Sequence, residues 1–424
     1  MRRAAFFTVT LAATLAVLGF LVLPVVAIFT HVAPGTLASQ LSNRVVVDAL
    51  VVSAKTTFAA QALVLLFGTP AAYLLATHRF RGRVLLVTAL ELPLVLPPAV
   101  AGIGLLVAFG RMGLLHTSIP FTQTAVVLAV AFVSGPLYVR AAIAAFEAVD
   151  PQLVDAARTL GAGPARRFLR VALPLARSGL AAGEALAFAR GLGEFGATIM
   201  FAGSLQRVTQ TLPLAIYAEF DVNFDVTLAI GGLLVLVSAA LLVALVELPL
   251  VLPPAVAGIG LLVAFGRFGL LGTGLPFTQL AVTVAVAFVS GPLYLRSAIA
   301  AFEAVDERLL DAARTLGAGP ARRFLRVALP LAGGGLAAGE ALALARGLGE
   351  FGATIMFAGS LQKVTQTLPL AIYAEFDVNF DVTLAISALL VLISAAILLS
   401  LKLASAWTLS LRRSGFRFAP STST

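Results

Sequence analysis

The chain has 424 residues, 60% of them hydrophobic and only 12% charged, with a mean hydropathy of +1.02. Soluble domains carry roughly a quarter charged residues, so this composition excludes an ordinary globular protein and predicts an all-α polytopic membrane protein. Lys+Arg outnumber Asp+Glu 29 to 20, an excess that sets membrane topology and gives no ground for nucleic-acid binding.

Met1-Arg2-Arg3 precedes an uncharged stretch over 4–30. That is too long for the apolar core of a signal peptide and predicts a retained first span with its N-terminus inside. A second span is expected over 45–76, followed by a basic loop with Arg79, Arg81 and Arg83. The third, 84–110, contains Pro93, Pro97 and Pro98, and the fourth covers 124–145. A basic segment then leads to a fifth span over 175–203 and a sixth over 226–246. Long apolar runs of this kind exclude an outer-membrane barrel, whose strands are short and alternating.

From residue 85 onward the sequence is written twice. Residues 85–240 match 241–396 at a constant offset of 156, and 131 of the 150 positions from Glu91 to Ala240 are identical without a gap. Each unit carries four spans, an even number, so both copies enter the bilayer the same way round, unlike an inverted repeat. Ten spans result. The chain divides into two N-terminal spans over 1–84, a first repeat over 85–240, a second over 241–402 and a basic tail over 403–424, with Lys402 at its edge and Arg412, Arg413 and Arg417 within it.

Between Asp225 and Arg267 the only charge is Glu247, and 226–266 must cross the membrane twice. A hairpin broken at Glu247-Leu248-Pro249 satisfies this, because Pro cannot continue a helix. A single long span would put the arginines of the second repeat on the wrong side. The second copy lacks counterparts of spans one and two, so it is not expected to be a complete unit.

The segment after span four reads Asp155-Ala-Ala-Arg-Thr-Leu-Gly161-Ala-Gly-Pro-Ala-Arg-Arg-Phe-Leu-Arg-Val171-Ala-Leu173-Pro174. It predicts a short helix over 151–160, started by Pro151 and ended by Gly161, and a second helix from Pro164 into the membrane. Such a knob would fit a cleft on a soluble partner; a plain topological connector is the competing reading. No Gly-Lys-Ser/Thr ending follows the glycines, so no ATP site is expected in this chain. The chain has no cysteine, and His31, His78 and His116 are scattered, so no metal or other cofactor is expected.

The spacing Asp155-Ala156-Ala157, Gly161, Val171, Leu173-Pro174 resembles the EAA motif of ABC-importer permeases, and it recurs at Asp311-Ala312-Ala313, Gly317, Val327 and Leu329-Pro330. The family's usual first Glu is Asp here. Leu92-Pro-Leu-Val-Leu-Pro-Pro98, Phe188-Ala-Arg-Gly-Leu-Gly-Glu194-Phe-Gly-Ala-Thr-Ile199 and Thr211-Leu-Pro-Leu-Ala-Ile-Tyr217 are similar to the molybdate/tungstate-type permeases, relatives of the sulfate permeases.

The resemblance implies a type I ABC-importer permease fold in the bacterial inner membrane, with both termini cytoplasmic. It implies two separate ATPase subunits that hydrolyse ATP, and an extracytoplasmic binding protein that delivers a tetrahedral oxyanion. It assigns the coupling role to Asp155, Ala156, Ala157, Gly161 and Pro174, and to Asp311, Ala312, Ala313, Gly317 and Pro330. The chain itself would be a translocation subunit and not an enzyme.

Candidates for the translocation path are Pro97 and Pro98 in span three, and Arg190 with Glu194 in span five, together with Arg346 and Glu350 in the second copy. Arg190 and Glu194 are four apart and can pair, so a neutralised structural pair competes with an anion-facing role. Glu219, Asp221 and Asp225 form an acidic patch outside, read as simple solvation of a loop. Two arrangements stay open: a single chain presenting both loops as a fused pseudo-dimer, or two chains paired through their six-span portions with one loop idle. The missing spans favour the second. An ATP-independent transporter or channel, or a non-functional duplicate, are the alternatives to an importer.

Overall fold

The computed structural model describes residues 2–243 and 252–414. Among the described residues seven helices are long and apolar enough to cross a membrane: α1 (Arg2–His31), α3 (Arg44–Thr77), α6 (Gln123–Glu147), α8 (Pro164–Leu192), α13 (Gln279–Glu303), α15 (Pro320–Leu348) and α18 (Phe380–Ser414). The half-helices α4 (Arg83–Val95) and α5 (Pro98–Phe109) form an eighth, broken span. Two shorter apolar helices, α11 (Phe224–Val243) and α12 (Pro254–Phe265), lie where spans six and seven were expected. Short helices fill the connections: α2 (Pro34–Gln40), α7 (Pro151–Thr159), α9 (Gly196–Ala202), α10 (Leu212–Glu219), α14 (Glu307–Thr315), α16 (Gly352–Ala358) and α17 (Leu368–Glu375). The expected hairpin break at Glu247-Leu248-Pro249 lies outside the described residues, as does Arg417 of the tail.

Two expected spans are discontinuous. Span three turns through 114° between α4 and α5. Pro97 and Pro98 supply no N–H to the helix ladder, and Pro98 restarts the chain at the first helical position, where that loss is harmless. Span five was expected as one helix and is two. α8 stops at Leu192, and α9 restarts at Gly196 after Gly193-Glu194-Phe195. The stop has a local cause: Glu194 Oε1 accepts the Ala197 N–H at 2.8 Å, holding a first-turn donor of α9 that a continuous helix would have used itself.

α3 shows why the N-terminal helices matter. Its buried positions Val46, Ala49, Val52, Ser53, Thr56, Ala60, Gln61 and Val64 recur at helical spacing and form one stripe. Ala60, Gln61 and Val64 face α6 and α8, while Val46 and Ala49 pack with Leu212 and Ala215 of α10 and Ser53 accepts the Leu212 N–H at 2.7 Å. Gln61 Nε2 donates to Ser134 Oγ at 3.1 Å and to the Ala187 carbonyl at 3.2 Å, tying the three helices together.

α1 does not stay with the first repeat. It lies along α12 of the second, where the Pro24 carbonyl sits 2.6 Å from the position a methyl on Gly260 would take. Phe20 meets Phe288 edge-on at 5.5 Å, and Phe6 meets Phe324 at 5.9 Å. Each repeat thus receives one of the two N-terminal helices, α3 on the first and α1 on the second. The repeats pack face to face inside one chain.

Candidate functional site

Two structures recur at each repeat: an exposed knob at one end of the bundle, and an aromatic closure where the repeats meet. Asp150 begins the first knob, its carboxylate accepting the Gln152 N–H at 2.9 Å, and Asp306 does the same for Arg308 in the second. α7 and α14 have no fully buried residue: Asp155, Ala156, Asp311 and Ala312 are exposed, and Ala157 and Ala313 are half-buried. Gly161 and Gly317 end these helices with φ of +81° and +80°, a left-handed conformation that only glycine adopts without cost. Just before them Leu160 and Leu316 are each 87% exposed, an apolar tip on each knob, and Leu153 and Leu309 on the same helices are also exposed.

Behind the knob, α8 runs through a π-turn at Phe168–Ala172 before Leu173 and Pro174. Pro174 has no N–H and its ring would strike the carbonyl four residues back; the wider turn relieves that clash, and Leu173 N–H reaches the Phe168 carbonyl. Pro330 stands in the same relation to the π-turn at Phe324–Ala328. Phe168 is held between Tyr73 at 4.8 Å and Phe146 at 6.2 Å. In the second repeat Phe302 and Phe6 hold Phe324 at 5.8 and 5.9 Å, so α1 stands in for the missing end of α3. The start of α1 and the end of α3 lie at the same end of the bundle, which places both knobs there.

At the closure, Phe195 and Phe351 stack at 5.3 Å with 25° between their planes. Tyr217 lies 5.8 Å from Phe195, Tyr373 lies 5.6 Å from Phe351, and the two tyrosines meet at 6.1 Å. A methyl on Gly349 would approach Pro97 Cα to 2.8 Å, and one on Gly193 would approach Pro253 Cβ to 3.0 Å, so the proline elbow of each repeat presses on the opposite loop. Sequence reading singled out the prolines and missed the aromatics, whose partner lies 156 positions away.

The predicted ion pairs are present. Arg190 Nη1 lies 2.7 Å from Glu194 Oε2, and Arg346 Nη1 lies 2.8 Å from Glu350 Oε2, with both carboxylates buried. Glu194 and Glu350 also cap the following helices, accepting the Ala197 and Ala353 N–H groups at 2.8 Å. The arginines have a second aspect. Arg190 and Arg346 also line a cavity of about 210 Å³ between the repeats, together with Arg140 and Arg296, which the sequence analysis did not single out. Pro97 and Pro98 lie at the elbow beside the closure, and Pro98 borders the small void between the two Arg–Glu pairs. Among the described residues no group of His, Cys, Asp and Glu is placed to hold a metal ion.

Comparison with known proteins gives the context. The model of the family described as binding-protein-dependent transport system inner membrane component matches twice, over residues 65–248 and 237–409. The molybdenum transport system permease protein ModB of Mycobacterium tuberculosis is 44% identical over 229 residues, covering 52% of this chain and 86% of that protein. A probable molybdenum ABC transporter permease of Haloferax volcanii is 40% identical over 224 residues, covering 51% and 82%. ModB of Escherichia coli is 45% identical over 178 residues, covering 40% and 78%. The chain belongs to the family of binding-protein-dependent transport system inner membrane components, with the family domain present in tandem.

Proposed function

We propose that this chain is the translocation subunit of an ATP-driven importer for molybdate or a similar tetrahedral oxyanion, tungstate or sulfate, in the bacterial cytoplasmic membrane. It acts as a fused pseudo-dimer. One chain presents both coupling knobs, Asp155 to Gly161 and Asp311 to Gly317, to two ATPase subunits at the cytoplasmic face. The observation that carries this reading is the pairing of two exposed knobs at one end of a bundle whose repeats close on each other through Phe195 and Phe351.

The mechanism follows from the placement of the parts. A binding protein delivers the anion at the extracytoplasmic face. ATP binding on the partner subunits brings the two knobs together, and α8 and α15 carry that movement toward the closure, because each knob is continuous with one of these helices through its π-turn. The Phe195–Phe351 stack and the two proline elbows then part, admitting the anion between the repeats. ATP chemistry belongs to the partners, and the chain needs no cofactor of its own. Residues 1–84 stabilise the two repeats, and the termini are cytoplasmic. Family membership and the parallel four-span repeat favour this over an ATP-independent transporter.

Native mass spectrometry of the solubilised complex, after co-expression with the candidate ATPase, tests the assembly. One permease chain with two ATPases is the expected composition. Two permease chains with two ATPases would overturn the pseudo-dimer, and failure of any ATPase to co-purify would overturn the importer. Uptake of radiolabelled molybdate into proteoliposomes, with binding protein outside and ATP inside, tests transport itself.

A further inference from the structure

α3 is fastened to the first repeat by polar contacts at four points along its length. Near its start the Asp48 carboxylate meets Arg207 Nε at 2.9 Å and Gln206 Nε2 at 3.4 Å. Ser53 Oγ accepts the Leu212 N–H, and Gln61 Nε2 donates to Ser134 Oγ and to the Ala187 carbonyl. Further on, the Thr69 and Tyr138 hydroxyls share a hydrogen bond of 2.6 Å. Packing follows the same line: Val64 lies 3.4 Å from where a methyl on Gly135 would sit, and Phe58 meets Phe188 at 5.2 Å.

The second repeat carries the same receiving groups 156 positions on. Lys363 and Gln362 stand for Arg207 and Gln206, Leu368 for Leu212, Ser290 and Ala343 for Ser134 and Ala187, and Tyr294 for Tyr138. Among the described residues Lys363 has no ion pair and the Tyr294 hydroxyl no hydrogen-bond partner. Leu212 is 1% exposed and Leu368 is 38% exposed. Val126 and Val130 are buried, but Val282 and Val286 only half-buried, and Leu344 in the place of Phe188 is 54% exposed. A methyl on Gly291, the counterpart of Gly135, would meet nothing within 4 Å. α1 reaches the second repeat along α12, with Phe20 on Phe288 and Phe6 on Phe324, and none of those positions belongs to this open face.

Lipid does not suit such a face. Glu340 is exposed where Glu184 is half-buried, and it stands eight residues before the end of α15, about 12 Å into the span at 1.5 Å per residue. An ionisable side chain at that depth is costly unless protein or water meets it. Helices associate in a bilayer through close packing at small residues and through interhelical hydrogen bonds, and Gly291, Ser290 and Tyr294 supply both. The α3 helix of a second copy is already fastened to its own first repeat. We propose that this face of α13, α15 and α17 is a docking site for a membrane-spanning helix of a separate chain. That helix carries a carboxylate for Lys363, a hydroxyl for the Leu368 N–H and an amide for Ser290, at the spacing of Asp48, Ser53 and Gln61. The inference concerns assembly and stands whichever anion is carried.

The chain has no cysteine, so thiol cross-linking tests this on the full chain in proteoliposomes. The probe is a synthetic peptide with the sequence of residues 44–77 carrying Phe58→Cys, and the chain carries either Leu344→Cys or Phe188→Cys. With a short bifunctional thiol reagent the peptide should link to Leu344→Cys and hardly at all to Phe188→Cys, whose site the chain's own α3 already fills. A peptide with Asp48→Asn and Gln61→Leu added should link to Leu344→Cys about tenfold less, the loss expected of two interhelical polar contacts. No linkage at Leu344→Cys, or equal linkage at both positions, would overturn the docking site. Equal linkage by the two peptides would overturn it as well, since any apolar helix would then serve. A chain carrying both Phe58→Cys and Leu344→Cys, without peptide, should stay monomeric under the reagent. Cross-linked chain dimers would show that α3 of a second copy fills the face, which overturns the separate partner.

Discussion

Phe195 and Phe351, equivalent residues of the two repeats, stack on each other at 5.3 Å and are each only 2% exposed. An aromatic pair contributes about 0.5–1.5 kcal/mol beyond the area it buries, enough to hold a closure and little enough for a partner's motion to open it. Tyr217 and Tyr373 back the stack edge-on, so loss of one ring leaves the plug partly filled. The double variant Phe195→Ala/Phe351→Ala should therefore leak: proteoliposomes loaded with labelled sulfate should lose it without ATP, where wild type retains it. Retention equal to wild type would show that the stack is not the barrier.

A second prediction concerns the end of the coupling knobs. Gly161 and Gly317 hold φ near +80° with open space around the Cα, so what an added side chain meets is backbone strain and not a clash. A residue other than Gly in this conformation costs roughly 1–2 kcal/mol, which is enough to unwind a nine-residue helix with no fully buried residue. Gly161→Asp/Gly317→Asp should insert in the membrane normally and keep its thermal midpoint, yet lose most molybdate uptake and ATPase association. The single variants measure whether both knobs are engaged. In a fused pseudo-dimer each alone should impair uptake, while in a two-chain assembly with one idle loop one of them should be silent.

The parts of this architecture that were legible in the sequence are those written in local chemistry. Pro97-Pro98 announces the elbow between α4 and α5, Pro151 and Gly161 bracket the knob helix, and the near-identity of the two halves announces the repeat. The break at Gly193 was not legible, because no proline marks it and it depends on the Glu194 carboxylate taking the Ala197 N–H. Nor was the reassignment of α1 to the second repeat. That contact turns on Gly260 accepting the Pro24 backbone, while its equivalent Gly104 is the same residue in the same sequence context with nothing within 4 Å. Arg140 and Arg296 were hidden for a different reason: an arginine near a span end has the same appearance whether it anchors topology or faces a cavity.

The Arg190–Glu194 pair gives a prediction that separates architecture from transport. Glu194 is 2% exposed and serves both Arg190 and the Ala197 N–H. Removing one member of a buried pair leaves the other charge uncompensated, at roughly 3–5 kcal/mol, whereas replacing both by groups of similar volume is often near neutral. Glu194→Ala should lower the thermal midpoint strongly. Glu194→Gln, which keeps an acceptor for Ala197, should lower it less, and Arg190→Met/Glu194→Gln should recover much of the loss. The double variant should still transport poorly if Arg190 faces the anion, and at the wild-type rate if the pair is purely structural.

The last prediction exploits two glycines that the repeat makes equivalent and the fold does not. A methyl on Gly260 would sit 2.6 Å from the Pro24 carbonyl and 2.9 Å from Pro24 Cβ, whereas Gly104 has nothing within 4 Å. Pro24 lies inside α1 and cannot move without shifting the helix that carries Phe6 and Phe20 onto the second repeat. Gly260→Leu should therefore displace α1 and destabilise the second repeat, with a cost in the overpacking range of about 1–3 kcal/mol or more. Gly104→Leu meets open space and should change the thermal midpoint little. Cross-linking of cysteines introduced at Phe20 and Phe288 with a short bifunctional thiol reagent reports the same geometry directly: it should be efficient in a Gly104→Leu background and poor with Gly260→Leu. Equal cross-linking in both would place α1 elsewhere, and the second repeat would then lack the helix that stands in for its missing N-terminal pair.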